Sequence, residues 1–172
     1  MKDRFTLSLL ALITVALVGM CFIASEKGAV VVATPGAELQ LRGGLGSNVV
    51  LRSGSEPTAV PARAYRPASL TLTRNQDGDA WKASSHGPWG KLARIGVERD
   101  RTTAIELGPP LLIKPQVEIW GGQVRVSLCL FGQAGETYEN LILRNNQRIR
   151  EPQVKIVDEA GTALASGRFQ FG

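Results

Sequence analysis

The 172-residue chain has one histidine, His86, and two cysteines, Cys21 and Cys129, and aromatic side chains make up only 6% of it. That inventory cannot supply a four-ligand His/Cys zinc site together with a separate catalytic base. Nor can two cysteines staple a disulfide-dense scaffold. A Gly-x-Ser-x-Gly elbow is also missing, so Ser85 beside His86 is the nearest approach to a serine hydrolase, and adjacency in sequence is not triad geometry. After residue 28 no window of about 11 residues keeps a 3.6-residue apolar repeat clear of Gly and Pro, which excludes a long amphipathic helix. No catalytic residue and no cofactor is expected.

Glycine and proline are plentiful, at 19 and 9 residues, but they follow no collagen-like period and read as turn punctuation in a globular chain. Hydrophobic residues are unevenly spread. Residues 1–25 hold 17 of the 75, and Phe5 to Ser25 carries no charge. A helix of that length covers a hydrocarbon core about 30 Å thick, so 1–25 is expected to be an uncleaved membrane anchor or a signal peptide cut after Ile23-Ala24-Ser25. Cys21 has Met20 before it, where lipoprotein processing needs a small residue, and reads as one more apolar position. Lys2 and Arg4 precede the apolar run, so the positive-inside tendency leaves the N-terminus in the cytoplasm and everything from Glu26 outside it, anchored to the inner membrane or released to the periplasm.

The exported part reads as all-β, with one or two antiparallel sandwich units after the N-terminal hydrophobic helix. Expected strands are 29–34, 38–42, 49–53, 69–74, 80–84, 91–98, 103–107, 117–120, 123–131, 141–144, 153–157 and 164–171. Alternation is clearest in Ser69 to Arg74 and in Val124 to Leu130, where Cys129 falls on the face opposite Val124, Val126, Leu128 and Leu130. Hairpins are expected through Asn75–Asp79 and through Asp158–Gly161. Gly108-Pro109-Pro110 is the natural junction between a unit over 28–108 and a smaller, Ig-like unit over 111–172.

Val60-Pro61-Ala62-Arg63-Ala64-Tyr65 resembles the pre-strand motif of the carboxypeptidase-regulatory-like or PEGA-type modules, with Arg63-Ala64 where those families place Gly-Thr. The resemblance implies a prealbumin-like β-sandwich on an extracytoplasmic bacterial protein. The runs from Ser69 to Lys82, Gly87 to Leu92, Glu106 to Pro110 and Val154 to Phe171 also resemble uncharacterised bacterial exported proteins, a likeness that implies no particular activity.

Asn75, Asp77 and Asp79 place three oxygen ligands at alternate positions, as a calcium loop does, but Gly78 stands between the second and third and His86 occupies the twelfth place. An ordinary polar turn is the competing account. Gly43-Gly44-Leu45-Gly46 precedes a strand rather than the helix a phosphate cradle needs. Trp89 and Trp120 stand beside Gly or Pro, where flat exposed rings could hold a glycan; core packing is the alternative. Arg42, Arg52, Arg63, Arg66 and Arg74 form a dispersed basic stripe without interleaved aromatics, which argues against nucleic acid; an ordinary solvated surface is the leading account, and anionic lipid or envelope polymer would be the partners otherwise. The expected function is a non-enzymatic structural or binding role in the bacterial envelope, tethered to the membrane by the N-terminal helix and meeting a polymer, glycan or protein. A carbohydrate-binding module and a small hydrolase around His86 are the alternatives.

Overall fold

Strict alternation of inward apolar and outward polar residues builds most of the chain. In the computed structural model, which describes residues 26–139 and 142–169, Ala37, Leu39 and Leu41 are buried while Gln40 and Arg42 face solvent. The expected signal or anchor segment 1–25 lies outside the described residues. The first eight strands are β1 (Lys27–Val32), β2 (Ala37–Arg42), β3 (Asn48–Arg52), β4 (Thr58–Pro61), β5 (Ala64–Gln76), β6 (Asp79–Ser85), β7 (Ile95–Gly96) and β8 (Thr102–Ile105). The other seven are β9 (Leu112–Trp120), β10 (Gln123–Phe131), β11 (Thr137–Tyr138), β12 (Leu143–Arg144), β13 (Gln147–Arg148), β14 (Gln153–Val157) and β15 (Ala163–Arg168). The fold is all-β and, but for the parallel pair β1–β8, antiparallel. Among the described residues no helix is long and apolar enough to cross a membrane.

A small sheet in the order β4-β1-β8 faces a larger one in the order β13-β12-β6-β5-β2-β3. Val30, Val32, Val60 and Ile105 from the first meet Leu39, Leu41, Leu51, Leu70 and Leu72 from the second in one core. Burying each such side chain contributes about 1.5–3 kcal/mol. Strand β5 serves this core through a bulge. Gln40 pairs with Ser69 but Leu41 pairs with Pro67, so Ala68 is the extra residue. The parity change lets Tyr65 and Pro67 point inward on one side of it and Leu70 and Leu72 on the other. Tyr65 then closes the corner into β5 by donating its hydroxyl to the Pro61 carbonyl at 2.9 Å.

Two expectations need correction. The strand over 91–98 is a 3-10 turn at Gly90–Ala93 followed by the two-residue β7. Leu92 and Ile95 are both buried and three apart, a spacing that one tight turn, and not a strand, brings to the same side. The strand expected over 117–120 runs instead from Leu112, because Pro115 occupies an edge strand, where a missing amide breaks no internal ladder.

The junction at Gly108–Pro110 does not separate the strands on its two sides. Strand β12 pairs with β6, and Leu130, Ala134 and Tyr138 belong to the main core. At this seam Gly90 (φ +53°) lets the Ala134–Gly135 turn approach so closely that a Cβ would lie 2.4 Å from the Ala134 carbonyl oxygen. The chain beyond Pro110 otherwise projects as two hairpins, β9–β10 and β14–β15, each pairing mainly within itself.

Candidate functional site

The pairing of Ile119 with Val124, Val117 with Val126, Pro115 with Leu128 and Ile113 with Leu130 puts eight apolar side chains on one face of the β9–β10 hairpin. On β14–β15 the pairs Val154–Gly167 and Ile156–Ala165 form a second, shallower apolar face. Between the two hairpins lies a cavity of about 500 Å³, whose lining includes Val126, Leu128, Ile142, Val154 and Phe169. Small residues on one wall, Ala165 and Gly167, leave room that bulkier ones would fill. The exposed side chains of Glu139 and Arg168 border the same cavity. A pocket of this size, apolar inside with a few charged groups at its edge, suits a ligand with an apolar body and a polar end.

The sequence-derived candidates sit elsewhere, and the fold does not assemble them. Trp89 is half-buried against the main core, beside Gly87. Trp120 is 85% exposed at the tip of β9, where Gly121 and Gly122 make the turn. Eight strand steps from Leu112 place that tip about 26 Å from the hairpin's base, so the two indoles form no shared platform.

Asn75, Asp77 and Asp79 are divided by the hairpin that carries them. The turn is only Asp77-Gly78, both at positive φ, and Asn75 pairs with Ala80 while Gln76 pairs with Asp79. Asn75 and Asp79 therefore point to opposite faces. Asp79 is also engaged, its carboxylate accepting hydrogen bonds from Arg144 and, at 2.7 Å, from Asn145 Nδ2. The Arg144 hydrogen bond, reinforced by that of Asn145, holds the Asp79 carboxyl below its ordinary range. No group of three metal-ligating side chains occurs among the described residues. Arg144 also lies over the Trp81 ring, 5.7 Å from its centroid.

His86 has a partner that sequence adjacency could not show. Its Nδ1 is 2.6 Å from Glu139 Oε1, across 53 positions and on the surface. Ser85 is no nucleophile for it: the hydroxyl is buried and donates to the Thr137 carbonyl at 2.6 Å while accepting from the Gly87 amide. The Gly43–Gly46 loop turns a carbonyl, not amides, toward its charged neighbour, for Arg63 Nη1 donates to Gly44 O at 3.1 Å and Nη2 to Ser47 Oγ. Of the basic stripe, Arg63 is consumed here and Arg52 pairs with Glu38, whereas Arg42 and Arg66 stand opposite each other on β2 and β5. Cys129 is half-exposed, and its position in the register sets it on the face opposite Leu128 and Leu130, as the alternation required.

No protein-family model, curated protein or solved structure gives a significant match to the chain.

Proposed function

We propose that this chain is a non-enzymatic, extracytoplasmic binding protein of the bacterial envelope that seats an elongated amphipathic molecule between β9–β10 and β14–β15. One observation carries the reading: two hairpins turn apolar faces toward a cavity of about 500 Å³ that neither fills. Leaving such faces unfilled forgoes burial free energy of about 25 cal/mol per Å², which a bound apolar body recovers. The uncharged run at 5–25, with Lys2 and Arg4 before it, supports placement of this body outside the cytoplasm. The likeness of Val60–Tyr65 to carboxypeptidase-regulatory-like or PEGA-type modules supports a carrier role for the first sandwich.

The test is titration of the full chain with a fluorescent fatty acid, comparing the parent with Gly167→Leu and Ala165→Phe, which fill the cavity from one wall. The parent is expected to show a saturable component that both variants lose. Identical titrations for parent and variants would sink the proposal, since probe taken up by residues 1–25 does not depend on this wall.

A glycan-binding role keeps one supporting observation, the exposed ring of Trp120. Loss of a glycan-array signal in Trp120→Ala would favour it, and an array without signal removes it.

A further inference from the structure

We propose that two copies of this chain pair edge to edge through β9, joining two three-stranded sheets into one of six with strand order β11-β10-β9-β9-β10-β11. All nine residues of β9 are exposed, and among the described residues it pairs with β10 alone. Its outer edge is a row of unsatisfied amides and carbonyls flanked by Ile113, Val117 and Ile119, the last 76% exposed. Such an edge is a template for another strand.

What selects a second copy is the order of residues along the strand. Leu112-Ile-Lys-Pro-Gln-Val-Glu-Ile-Trp120 is chemically self-complementary about Gln116. An antiparallel two-fold pairing centred there sets Lys114 against Glu118 of the other copy, twice by symmetry. It also sets Ile113 against Ile119, Pro115 against Val117 and Leu112 against Trp120. Opposite charges directly across an antiparallel pair are favourable, and like charges are not. Lys114 and Glu118 lie on the face opposite the apolar one, where Lys114 Nζ is 5.4 Å from the Phe131 ring centroid. Glu118 stands opposite Arg125 within its own hairpin, so the dimer continues a row of alternating charge.

The backbone phase agrees with this register. Gly121 and Gly122 both have positive φ and form a two-residue hairpin turn, whose flanking pair, Trp120 and Gln123, exchanges both ladder bonds. Even-numbered residues of β9 therefore face β10, and Ile113, Pro115, Val117 and Ile119 direct their backbone groups outward. Pairing about Gln116 matches these outward residues with one another. Pro115 forfeits one ladder bond per copy, and the amides of Ile113, Val117 and Ile119 each meet a carbonyl. Centres at Pro115 or Val117 keep the phase but set Lys114 against Gln116 or Trp120, with no opposite charge facing it. Both copies keep their apolar faces on the same side of the joined sheet, so the cavity beneath each hairpin stays on that side.

Sedimentation velocity of the full chain in neutral detergent, over a concentration series, tests the dimer. A monomer–dimer equilibrium is expected. Lys114→Glu and Glu118→Lys should each raise the dissociation constant by roughly tenfold or more, and the double variant K114E/E118K should restore it. In a background with Cys21 and Cys129 changed to Ser, oxidised Gln116→Cys should run as a disulfide-linked dimer and Lys114→Cys should not, because only position 116 meets its own copy across the axis. A chain that stays monomeric throughout the series overturns the proposal. So does a dimer indifferent to both charge reversals, or equal crosslinking at 114 and 116.

Discussion

Glu136 Oε1 accepts the Gly108 amide proton at 2.6 Å, in the interior, and so fastens the start of the second half of the chain to the turn that ends β10. The same oxygen accepts the Tyr138 hydroxyl at 2.8 Å, and Oε2 accepts the Ala134 amide at 3.0 Å. A buried carboxylate is costly unless its lone pairs are met, and these three donors meet them. Glu136→Gln turns an amide N–H toward groups that themselves donate. It is expected to lower stability by about 2–4 kcal/mol, read as a lower urea midpoint with the fold's circular dichroism retained in buffer.

Tyr138 adds a pH dependence. Burial, with a further contribution from its hydrogen bond to Glu136 and that residue's charge, pushes the phenol far above its ordinary value of 10.0. The folded state holds the proton where the unfolded chain loses it, so the stabilisation is complete below pH 10.0 and declines as pH rises beyond it. Urea midpoints measured between neutral and strongly alkaline pH should fall above that point. Tyr138→Phe should show a shallower fall and a loss of about 1 kcal/mol at neutral pH.

For Asp79 the sign is opposite. Its carboxyl is held below 3.8 by Arg144 and Asn145, so what the ion pair contributes is present above that value and lost as pH falls through the lowered one. Carbon-detected NMR titration should find Asp79 ionising below an ordinary aspartate, and Arg144→Ala should return it toward 3.8. Calcium added to the parent should leave the Asn75 and Asp79 signals in place, since those side chains leave the hairpin on opposite faces.

Gly90→Ala is expected to be among the most damaging single substitutions. The backbone there is at φ +53°, and the new Cβ would meet Ala134 and Gly135 backbone atoms at 2.4–2.7 Å. Strain and forced separation together should cost more than about 3 kcal/mol. Thermal unfolding compared with Gly46→Ala, likewise at positive φ (+74°) but with nothing within 4 Å of its Cβ, isolates the contact.

At concentrations where the chain is monomeric, Trp120→Ala should leave thermal stability within about 0.5 kcal/mol of the parent, because an indole 85% exposed on a hairpin tip contributes little to the core. A larger loss would place that ring in a contact within the single chain.

Features that depend on neighbours a few positions apart were legible in the sequence. Period-two alternation assigned the inner faces of β5 and β10, Asn75–Asp79 and Asp158–Gly161 marked two hairpins, and the alternation already put Cys129 opposite Leu128. That the Ser85 hydroxyl beside His86 is already spent on the Thr137 carbonyl was not legible from adjacency. Everything that depends on which segments meet was set by the tertiary fold. Glu139 reaches His86 from 53 positions away and β12 extends the sheet of β6, while the two apolar hairpin faces come together over a cavity. The fold also undid the ligand trio, since a two-residue turn pairs Gln76 with Asp79 and sends Asn75 and Asp79 to opposite faces. The physical reason is the same throughout. Side-chain direction follows from local backbone geometry, whereas long-range proximity is set by core packing, and Glu136 carried no local mark of the three donors that surround it.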